Sequence, residues 1–230
     1  MSAGLFTYVL RWDTGFAPNP YFGICTLATC KSGIRKSAEP GDWVAGIGST
    51  QNQLEGRLVY AMLVEEKLSF DEYWSDPRFA EKIPNLAGSR EQRCGDNIYH
   101  QTPRGEWVQK VSLHSNSDCS PNHYHMNRDT RVPSVLVSKS FAYYGATAIP
   151  IPEEFRDWEG QDYFASVRDY RRHFPDDLHI AFTSWLDSLE DIGKAGEPLH
   201  HPNLTRPQRT RSQCGSAHQT ALHPRRSGDC

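Results

Sequence analysis

The spacing of the hydrophobic residues changes along this chain of 230 residues, and the change constrains the fold class. The first two thirds hold short β-branched and aromatic segments bounded by Gly, Pro and Asp, a pattern typical of strands. From Tyr163 onwards the apolar residues recur every three to four positions, which is typical of amphipathic helices. Strands first and helices last predict an α+β fold rather than alternating βαβ units.

Five strands and one hairpin are predicted. The strands are residues 7–12, 42–47, 57–64, 132–138 and 146–151, and the hairpin turns at residues 103–105. Segment 57–64 is apolar on both faces, as expected for a central strand. Prolines and glycines break any period between the first two strands, which predicts a loop or a loop with a short helix.

Three helices are predicted around and after these strands. One runs from Ser75, a candidate N-cap, to Lys82. The second begins at Tyr163, and the third begins at Asp176 or Asp177 and ends at Gly193. We therefore expect an α+β domain with a mixed or barrel-like sheet and C-terminal helices packed on it.

Length and composition favour one domain, residues 1–200, with an appended tail. Residues 201–230 are rich in arginine and proline and nearly lack large apolar side chains. Such a segment cannot bury enough surface to offset its ordering entropy, so the tail is predicted to be disordered. The arginines of the tail can bind phosphates. The alternative is a solvated terminus without a role.

Charge and hydropathy limit the partners and the compartment. The formal net charge is −3, so any contact with nucleic acid needs a local basic patch. There is no apolar run of about 20 residues that would span a bilayer. The N-terminal segment lacks the features of a secretion signal, and we expect a cytoplasmic protein with no membrane partner. Six cysteines are too few for a disulfide scaffold.

The loop after the first strand concentrates groups that suit a nucleotide. Asn19 offers a donor and an acceptor for the edge of a base, and Phe22 can stack on its face. Lys31 and Arg35 are four residues apart, so on one helical turn they would share a face and meet a phosphate. The alternative is that the aromatic rings are core residues and the cations are solvated.

Two cysteines lie in the same loop. A Cys30 thiolate next to Lys31 can act as a nucleophile if a cation or a helix N-terminus lowers its pKa. Buried, inert thiols are the alternative for both Cys25 and Cys30. A structural zinc site would need a second pair of ligands, which Cys94 and Cys119 do not form.

The segment from His114 to Asp129 is rich in potential metal ligands. His123 and His125 can converge from an extended or turning backbone, with a third ligand from His114, Cys119 or Asp129. No recognised spacing supports such a site. An exposed polar loop is the alternative, and no metal ligand is assigned.

Two short turns carry further candidates. Asp42 and Trp43 enter the second strand through a glycine-aspartate step that resembles small PUA-like barrels, which bind RNA or modified bases. Asp96 and Asn97 precede the hairpin, where the carboxylate can act as a general base or hold a ribose hydroxyl. An Asx-turn, in which both side chains bond backbone N–H groups, is the alternative.

Several of these blocks together share a pattern with one known family. The matching residues are 13, 15–20, 25–31, 34–35, 41–44, 94–99, 138–145 and 185–198. Through them the chain resembles the nucleotide modification associated domain 2 family over residues 5–200. The resemblance implies an α+β domain encoded beside phage and bacterial genes for DNA base modification, with no settled reaction. It also brings Lys82, His114 and the pair Arg128-Asp129 into the candidate site. Ordinary surface ion pairs are the alternative for Lys82, Arg128 and Asp129.

We therefore predict a pocket that binds a nucleotide or nucleobase, in which Asp96 or His114 moves a proton. The expected nucleotide-binding residues are Asn19, Phe22, Lys31, Arg35, Asp42, Trp43, Asn97, Tyr99 and Arg128. The expected partners are a nucleotide or nucleic acid and other enzymes of a base-modification pathway. The sequence does not identify a cofactor. A transferase, a non-catalytic reader of modified bases and a metal-dependent hydrolase remain alternatives.

Overall fold

The computed structural model describes residues 3–165, 169–189 and 193–200. The predicted tail, residues 201–230, lies outside these ranges. The strands are β1 (Leu5–Leu10), β2 (Cys25–Leu27), β3 (Trp43–Gly48), β4 (Arg57–Leu63), β5 (Glu66–Leu68), β6 (Tyr99–Gln101), β7 (Trp107–Gln109), β8 (Val135–Ser138), β9 (Phe141–Tyr143), β10 (Ile149–Pro150) and β11 (Gly193–Lys194). The α-helices are α1 (Ser32–Ser37), α2 (Phe70–Ser75), α3 (Arg90–Arg93), α4 (His123–Thr130), α5 (Glu153–Arg156) and α6 (Asp176–Ser188), and the 3₁₀ helices are Thr50–Asn52, Pro77–Lys82 and Gly145–Thr147.

The main sheet has the strand order β1-β3-β4-β9-β11, with β10 also paired to β4. The β1/β3 and β9/β11 pairs are parallel, and the β3/β4 and β4/β9 pairs are antiparallel. A second, antiparallel sheet has the order β2-β8-β5, and β6 and β7 form a separate hairpin. The sheet is therefore mixed, as predicted, but the described strands do not close into a barrel.

The main sheet separates two parts of the core, because its side chains alternate between the faces. Trp43, Ala45 and Ile47 of β3 face the cluster that includes Phe182 and Leu186 of α6. Val44 faces the opposite cluster, which reaches the second sheet and α1. A third cluster fills the space between the second sheet, α2 and the hairpin. Helices thus cover one face of the main sheet, and the second sheet covers the other.

Most strong sequence patterns correspond to observed elements. The strands predicted near β1, β3, β4 and β8 are present, the hairpin is present, and α6 begins at Asp176. The strand predicted for residues 146–151 is only the two-residue β10. The helix predicted from Ser75 is a 3₁₀ helix that begins after Asp76, whose carboxylate accepts from the Arg78 amide at 2.9 Å.

The helix predicted from Tyr163 is absent from the described part of that segment, where residues 163 and 164 form a turn. Residues 166–168 of the same prediction lie outside the described ranges. In the described part of the chain, no helix has the length and the apolar character needed to cross a bilayer.

Candidate functional site

The structure groups the predicted polar residues into two buried clusters. We call the first the Asp96 cluster, formed by Asn19, Thr26, Tyr73, Lys82 and Asp96. The second is the Cys30 site, formed by Cys30, His114 and Asp129. Both clusters lie next to β2, since Thr26 belongs to this strand and Cys30 follows it by three residues.

The Asp96 cluster is closed by its own hydrogen bonds. The hydroxyls of Thr26 and Tyr73 each donate to one Asp96 carboxylate oxygen, both at 2.7 Å. The Lys82 ammonium donates to the Asn19 side-chain oxygen at 2.6 Å and to its backbone carbonyl at 3.1 Å. Asn19 in turn donates to the carbonyls of Gly15 and Cys94.

Burial dominates the ionisation of this cluster. It raises the pKa of Asp96, although the nearby Lys82 charge and the two hydroxyl donors act in the opposite direction. Burial also lowers the pKa of Lys82 to about 8, against the attraction of Asp96 and Cys25. Neither Asp96 nor Asn19 has any measurable exposure to solvent.

Asn97 extends the same buried region. Its amide nitrogen donates to the carbonyl of Tyr73 at 3.0 Å, and its backbone N–H donates to the carbonyl of Lys82 at 3.0 Å. Asp96 and Asn97 therefore join β2, α2 and the 3₁₀ helix Pro77–Lys82 across the third core cluster. This arrangement differs from an Asx-turn, because the side-chain partners lie far away in sequence.

In the Cys30 site a thiol contacts an imidazole, and the imidazole contacts a carboxylate. The Cys30 Sγ lies 3.5 Å from the His114 Nε2, and the His114 Nδ1 lies 2.9 Å from the Asp129 Oδ2. A carboxylate only accepts hydrogen bonds, so the ring proton is on Nδ1 and Nε2 faces the thiol as an acceptor. Thiol, imidazole and carboxylate thus have the connectivity of a nucleophile, a base and an orienting group.

The backbone at Cys30 is strained and firmly held. Cys30 and Lys31 both have positive φ angles, of 57° and 36°, between the end of β2 and the start of α1. The Cys30 N–H donates to the Asp129 Oδ1 at 3.0 Å, and its carbonyl accepts from the Arg35 Nε at 2.8 Å. Asp129 therefore positions both the imidazole and the main chain that carries the thiol.

Asp129 is stabilised as an anion. Burial alone raises the pKa of this carboxyl, but His114 and the guanidiniums of Arg128 and Arg35 outweigh burial and hold the pKa below its usual range. The Tyr99 hydroxyl donates to the Asp129 Oδ2 at 3.1 Å. An ionised carboxylate in this position favours a protonated imidazole when a proton leaves the thiol.

Helix α4 connects this site to the surface. Asn122 caps the helix by accepting from the His125 amide at 3.1 Å. The His125 ring stacks on His114 with centroids 4.4 Å apart, and Arg128 contacts the His125 Nδ1 at 3.2 Å. The Arg128 guanidinium lies 5.8 Å from the ring of Tyr124, which is 65% exposed.

Arg35 lies in the interior of this region. Its guanidinium donates to the carbonyls of Cys30, Val132, Ser134 and Asp129 at 2.6–2.9 Å, and the residue has no exposed surface. In this arrangement Arg35 fixes the Cys30 turn against the end of α4.

The other predicted binding residues are spread over the molecule. Phe22 is half-buried against the third core cluster, and the Lys31 ammonium lies 4.7 Å from the centre of the Tyr8 ring. Asp42 accepts from the amides of Gly4 and Glu39. Trp43 packs in the core beside α6, where it lines a cavity of about 200 Å³.

A groove that the sequence analysis did not predict lies beside α1. Tyr170, Arg171, Arg172 and His173 line a volume of about 380 Å³, which falls within the usual range of ligand sites. A side chain at Gly33 of α1 would meet the Tyr170 ring at 2.6 Å. The buried Arg171 Nε has no hydrogen-bond partner among the described residues.

The histidines predicted as alternative metal ligands are arranged differently. His123 is exposed, His125 stacks on His114, and both His114 ring nitrogens face protein groups. Among the described residues, no group of three or more His, Cys, Asp or Glu side chains has a geometry that could hold a metal ion.

Comparison with known proteins gives one match. A model of the family described as nucleotide modification associated domain 2 matches residues 2–204, which is most of the chain. No curated protein and no solved structure matches significantly. The family description associates such domains with nucleotide modification. This chain belongs to the nucleotide modification associated domain 2 family.

Proposed function

We propose that the domain is an enzyme that modifies a nucleotide or DNA base, with His114 as its general acid and base. The observation that carries this proposal is the contact between the His114 Nδ1 and the Asp129 carboxylate. A buried carboxylate that orients an imidazole prepares the opposite ring nitrogen to take up and return a proton. His114 is only 3% exposed, and the neighbouring Arg128 side chain is partly exposed.

The groove beside α1 supports nucleotide binding in this proposal. Arg171 and Arg172 supply two guanidiniums that match phosphate oxygens, and Tyr170 supplies a ring. A base can stack on an aromatic face whatever its identity. Because Gly33 contacts Tyr170 and Cys30 precedes α1, a ligand in the groove lies near the turn that carries the thiol.

The predicted site residues take different roles in the proposal. His114 contacts the reacting group, Arg128 and Lys31 meet the negative charge of the substrate, and Tyr99 and Arg35 hold the Asp129 region. Asp96, Asn19 and Asn97 support β2 from within, because their polar atoms bond buried hydroxyls and backbone carbonyls. Phe22, Asp42 and Trp43 keep the loop and β3 in place.

A reader of modified bases is the second candidate, and the exposed Tyr124 favours it. This ring lies beside Arg128 on the outer face of α4, and stacking with a cation is sufficient for recognition without chemistry. A reader does not need the His114–Asp129 pair. Replacement of His114 therefore separates the two functions.

The test is mass spectrometry of nucleosides from cells that make the full chain together with the products of its neighbouring genes. We expect a modified nucleoside with the wild type and its loss with His114→Gln. His100→Gln is the matched control, because this imidazole stacks on Trp74, in the region of the hairpin and α2. A nucleoside pool unchanged by the wild-type chain, or equal in the His114→Gln cells, would contradict the enzyme proposal.

Binding is tested separately by calorimetry with nucleoside monophosphates and triphosphates. Arg172→Gln removes a charge from the groove, and Arg104→Gln removes one from the exposed hairpin turn. We expect at least about a tenfold weaker affinity for the first variant and an unchanged affinity for the second. Equal affinities in both variants would remove the groove from the proposal.

A further inference from the structure

We propose that Cys30 is the nucleophile of an acyl-transfer site and forms a thioester during the reaction, with His114 as acid–base catalyst and Asp129 as the positioning residue. The identity of the substrate as a nucleotide rests on the proposed function. The reactivity of the thiol does not, because it follows from the geometry of the Cys30 site alone.

The first support is the directed contact between thiol and imidazole. At 3.5 Å, the Cys30 Sγ and the His114 Nε2 are within hydrogen-bond range for sulfur. The Asp129 carboxylate fixes the opposite face of the ring at 2.9 Å, so Nε2 points at the thiol. Transfer of the thiol proton to Nε2 leaves a thiolate beside an imidazolium, which lies on an ionised carboxylate.

The second support is the conformation of the backbone. Cys30 has a φ of 57° in a short turn between a strand and a helix. A non-glycine residue in this region stores strain, and strained nucleophiles on strand-to-helix turns are a recurrent device of enzymes. Asp129 and Arg35 bond the two backbone polar groups of Cys30 and hold the conformation.

The third support is the contrast with the other buried thiols. Cys30 is 7% exposed, whereas Cys25 and Cys94 are 0% and 1% exposed. Burial raises the pKa of both Cys25 and Cys94 to about 12, which keeps these thiols protonated. Neither has an imidazole partner in the described structure; Cys25 contacts the Met62 sulfur at 3.9 Å.

The reaction then balances without an external oxidant or reductant. The Cys30 thiolate attacks the carbonyl carbon of an ester or amide, the new S–C bond forms, and the carbonyl electron pair moves to oxygen. When the carbonyl reforms, the bond to the leaving group breaks and the His114 imidazolium gives its proton to that group. A hydroxyl, an amine or water next attacks the thioester, loses its proton to His114, and releases the thiol.

The test measures Cys30 reactivity in the full chain without any nucleotide. Iodoacetamide alkylation is followed from pH 5 to pH 10 by peptide mass spectrometry, which localises the label to Cys30 or Cys25 by fragmentation. We expect alkylation of Cys30 in the wild type well below the ordinary thiol pKa of about 8.5. Cys25 lies on the same tryptic peptide and provides an unreactive internal reference.

Variants then assign the effect to the site. We expect His114→Gln and Asp129→Asn to lower the alkylation rate of Cys30 at pH 7 at least about tenfold and to move its pH profile upwards. His100→Gln is the matched control and keeps the wild-type profile. If either site variant does not fold, the wild-type profile alone still decides, because an ordinary profile in the wild type overturns the proposal.

Acyl transfer itself is tested with p-nitrophenyl acetate. We expect a burst of about one equivalent of p-nitrophenolate and an acetyl group on Cys30 that hydroxylamine removes, and neither with Cys30→Ser. Alkylation without a burst would overturn acyl transfer. If Cys30 is reactive but cells contain no new nucleoside, only the proposed function is contradicted. If Cys30 shows an ordinary pH profile but the cells contain a nucleoside that depends on His114, only the thioester proposal is contradicted.

Discussion

The Asp96 cluster and the Cys30 site are both buried and built from similar residues, but their carboxylates have different neighbours. In both, a buried aspartate accepts from a tyrosine hydroxyl. In the Asp96 cluster both carboxylate oxygens bond hydroxyls of the protein interior. In the Cys30 site one carboxylate oxygen faces His114, whose other nitrogen meets a thiol that is 7% exposed.

This difference shows how the environment assigns the roles of two carboxylates. Burial dominates at Asp96 and raises its pKa, whereas the charges around Asp129 outweigh burial and lower its pKa. A carboxylate that remains ionised next to an imidazole can stabilise the imidazolium that forms when the ring accepts a proton. One that is closed off by hydroxyls contributes to the fold. The comparison therefore favours Asp129 for the proposed chemistry and Asp96 for structural support.

The largest expected effect comes from removal of the Asp96 carboxylate. Asp96→Ala removes the carboxylate that accepts from the hydroxyls of Thr26 and Tyr73 at 2.7 Å, and it leaves the buried Lys82 charge without its neighbour. We expect a loss of about 3–5 kcal/mol in the free energy of unfolding, measured by urea denaturation at pH 7. Asp157→Ala, on the exposed end of α5, is the control and should leave the midpoint unchanged.

A loss below about 1 kcal/mol in Asp96→Ala would show that water replaces the carboxylate easily. The Asp96 cluster would then be open to water, and its role as structural support would be wrong. Cys30 alkylation in the folded Asp96→Ala protein should keep the wild-type pH profile.

Sequence patterns predicted the main strands and helices, but not which side chains meet in the Asp96 cluster and the Cys30 site. Segment 57–64 was recognisable because a run apolar on both faces indicates a central strand, and β4 is one. Strand β2 was missed, since its three residues lie among prolines and glycines and depend on pairing with β8, more than 100 residues away. Local propensity carries no information about such a partner.

Sequence patterns predicted part of the candidate site. His114 was predicted from its chemistry and the family pattern, and Cys30 was considered as a nucleophile. Asp129 appeared only as a metal-ligand candidate and by resemblance, because nothing in its spacing of 15 residues from His114 indicates a hydrogen bond. The groove at Tyr170–His173 was missed because Tyr170 fitted a helical period, although two arginines and a histidine in a row were a signal.

The second prediction concerns the pH dependence of Lys82. The pKa of this group is about 8 in the folded protein and 10.5 in the unfolded chain, so between these values the unfolded chain binds more protons. The contribution of Lys82 to the free energy of unfolding therefore rises by about 3 kcal/mol as the pH increases from about 8 to 10.5. The raised pKa values of Cys25 and Cys94 lower the stability as the pH increases above 9. The wild type must therefore be compared with Lys82→Met, in which the same cysteines are present.

The measurement is the free energy of unfolding of both proteins at several pH values from 7 to 10.5. We expect the difference to move in favour of the wild type as pH rises, because the cysteine effects cancel. A constant difference would mean that Lys82 titrates normally and that its surroundings are hydrated. In that case the Asp96 cluster would not be closed to solvent.

The smallest effect comes from removing one hydroxyl from each region. Tyr73→Phe and Tyr99→Phe are the same chemical change, and each deletes a donor to a buried carboxylate, at 2.7 Å and 3.1 Å. We expect each variant to lose about 1 kcal/mol of stability. Only Tyr99→Phe should alter Cys30 alkylation, by less than about threefold, because the freed Asp129 oxygen interacts more strongly with the His114 imidazolium.

Paired unfolding curves and alkylation rates at pH 7 check this prediction. Equal losses of stability with a change in alkylation confined to Tyr99→Phe would assign Asp129, and not Asp96, to the reactive thiol. A change in alkylation in Tyr73→Phe would show that the two clusters are coupled through β2, since Thr26 and Cys30 are only four residues apart. The division between a structural and a chemical carboxylate would then have to be replaced by a single extended site.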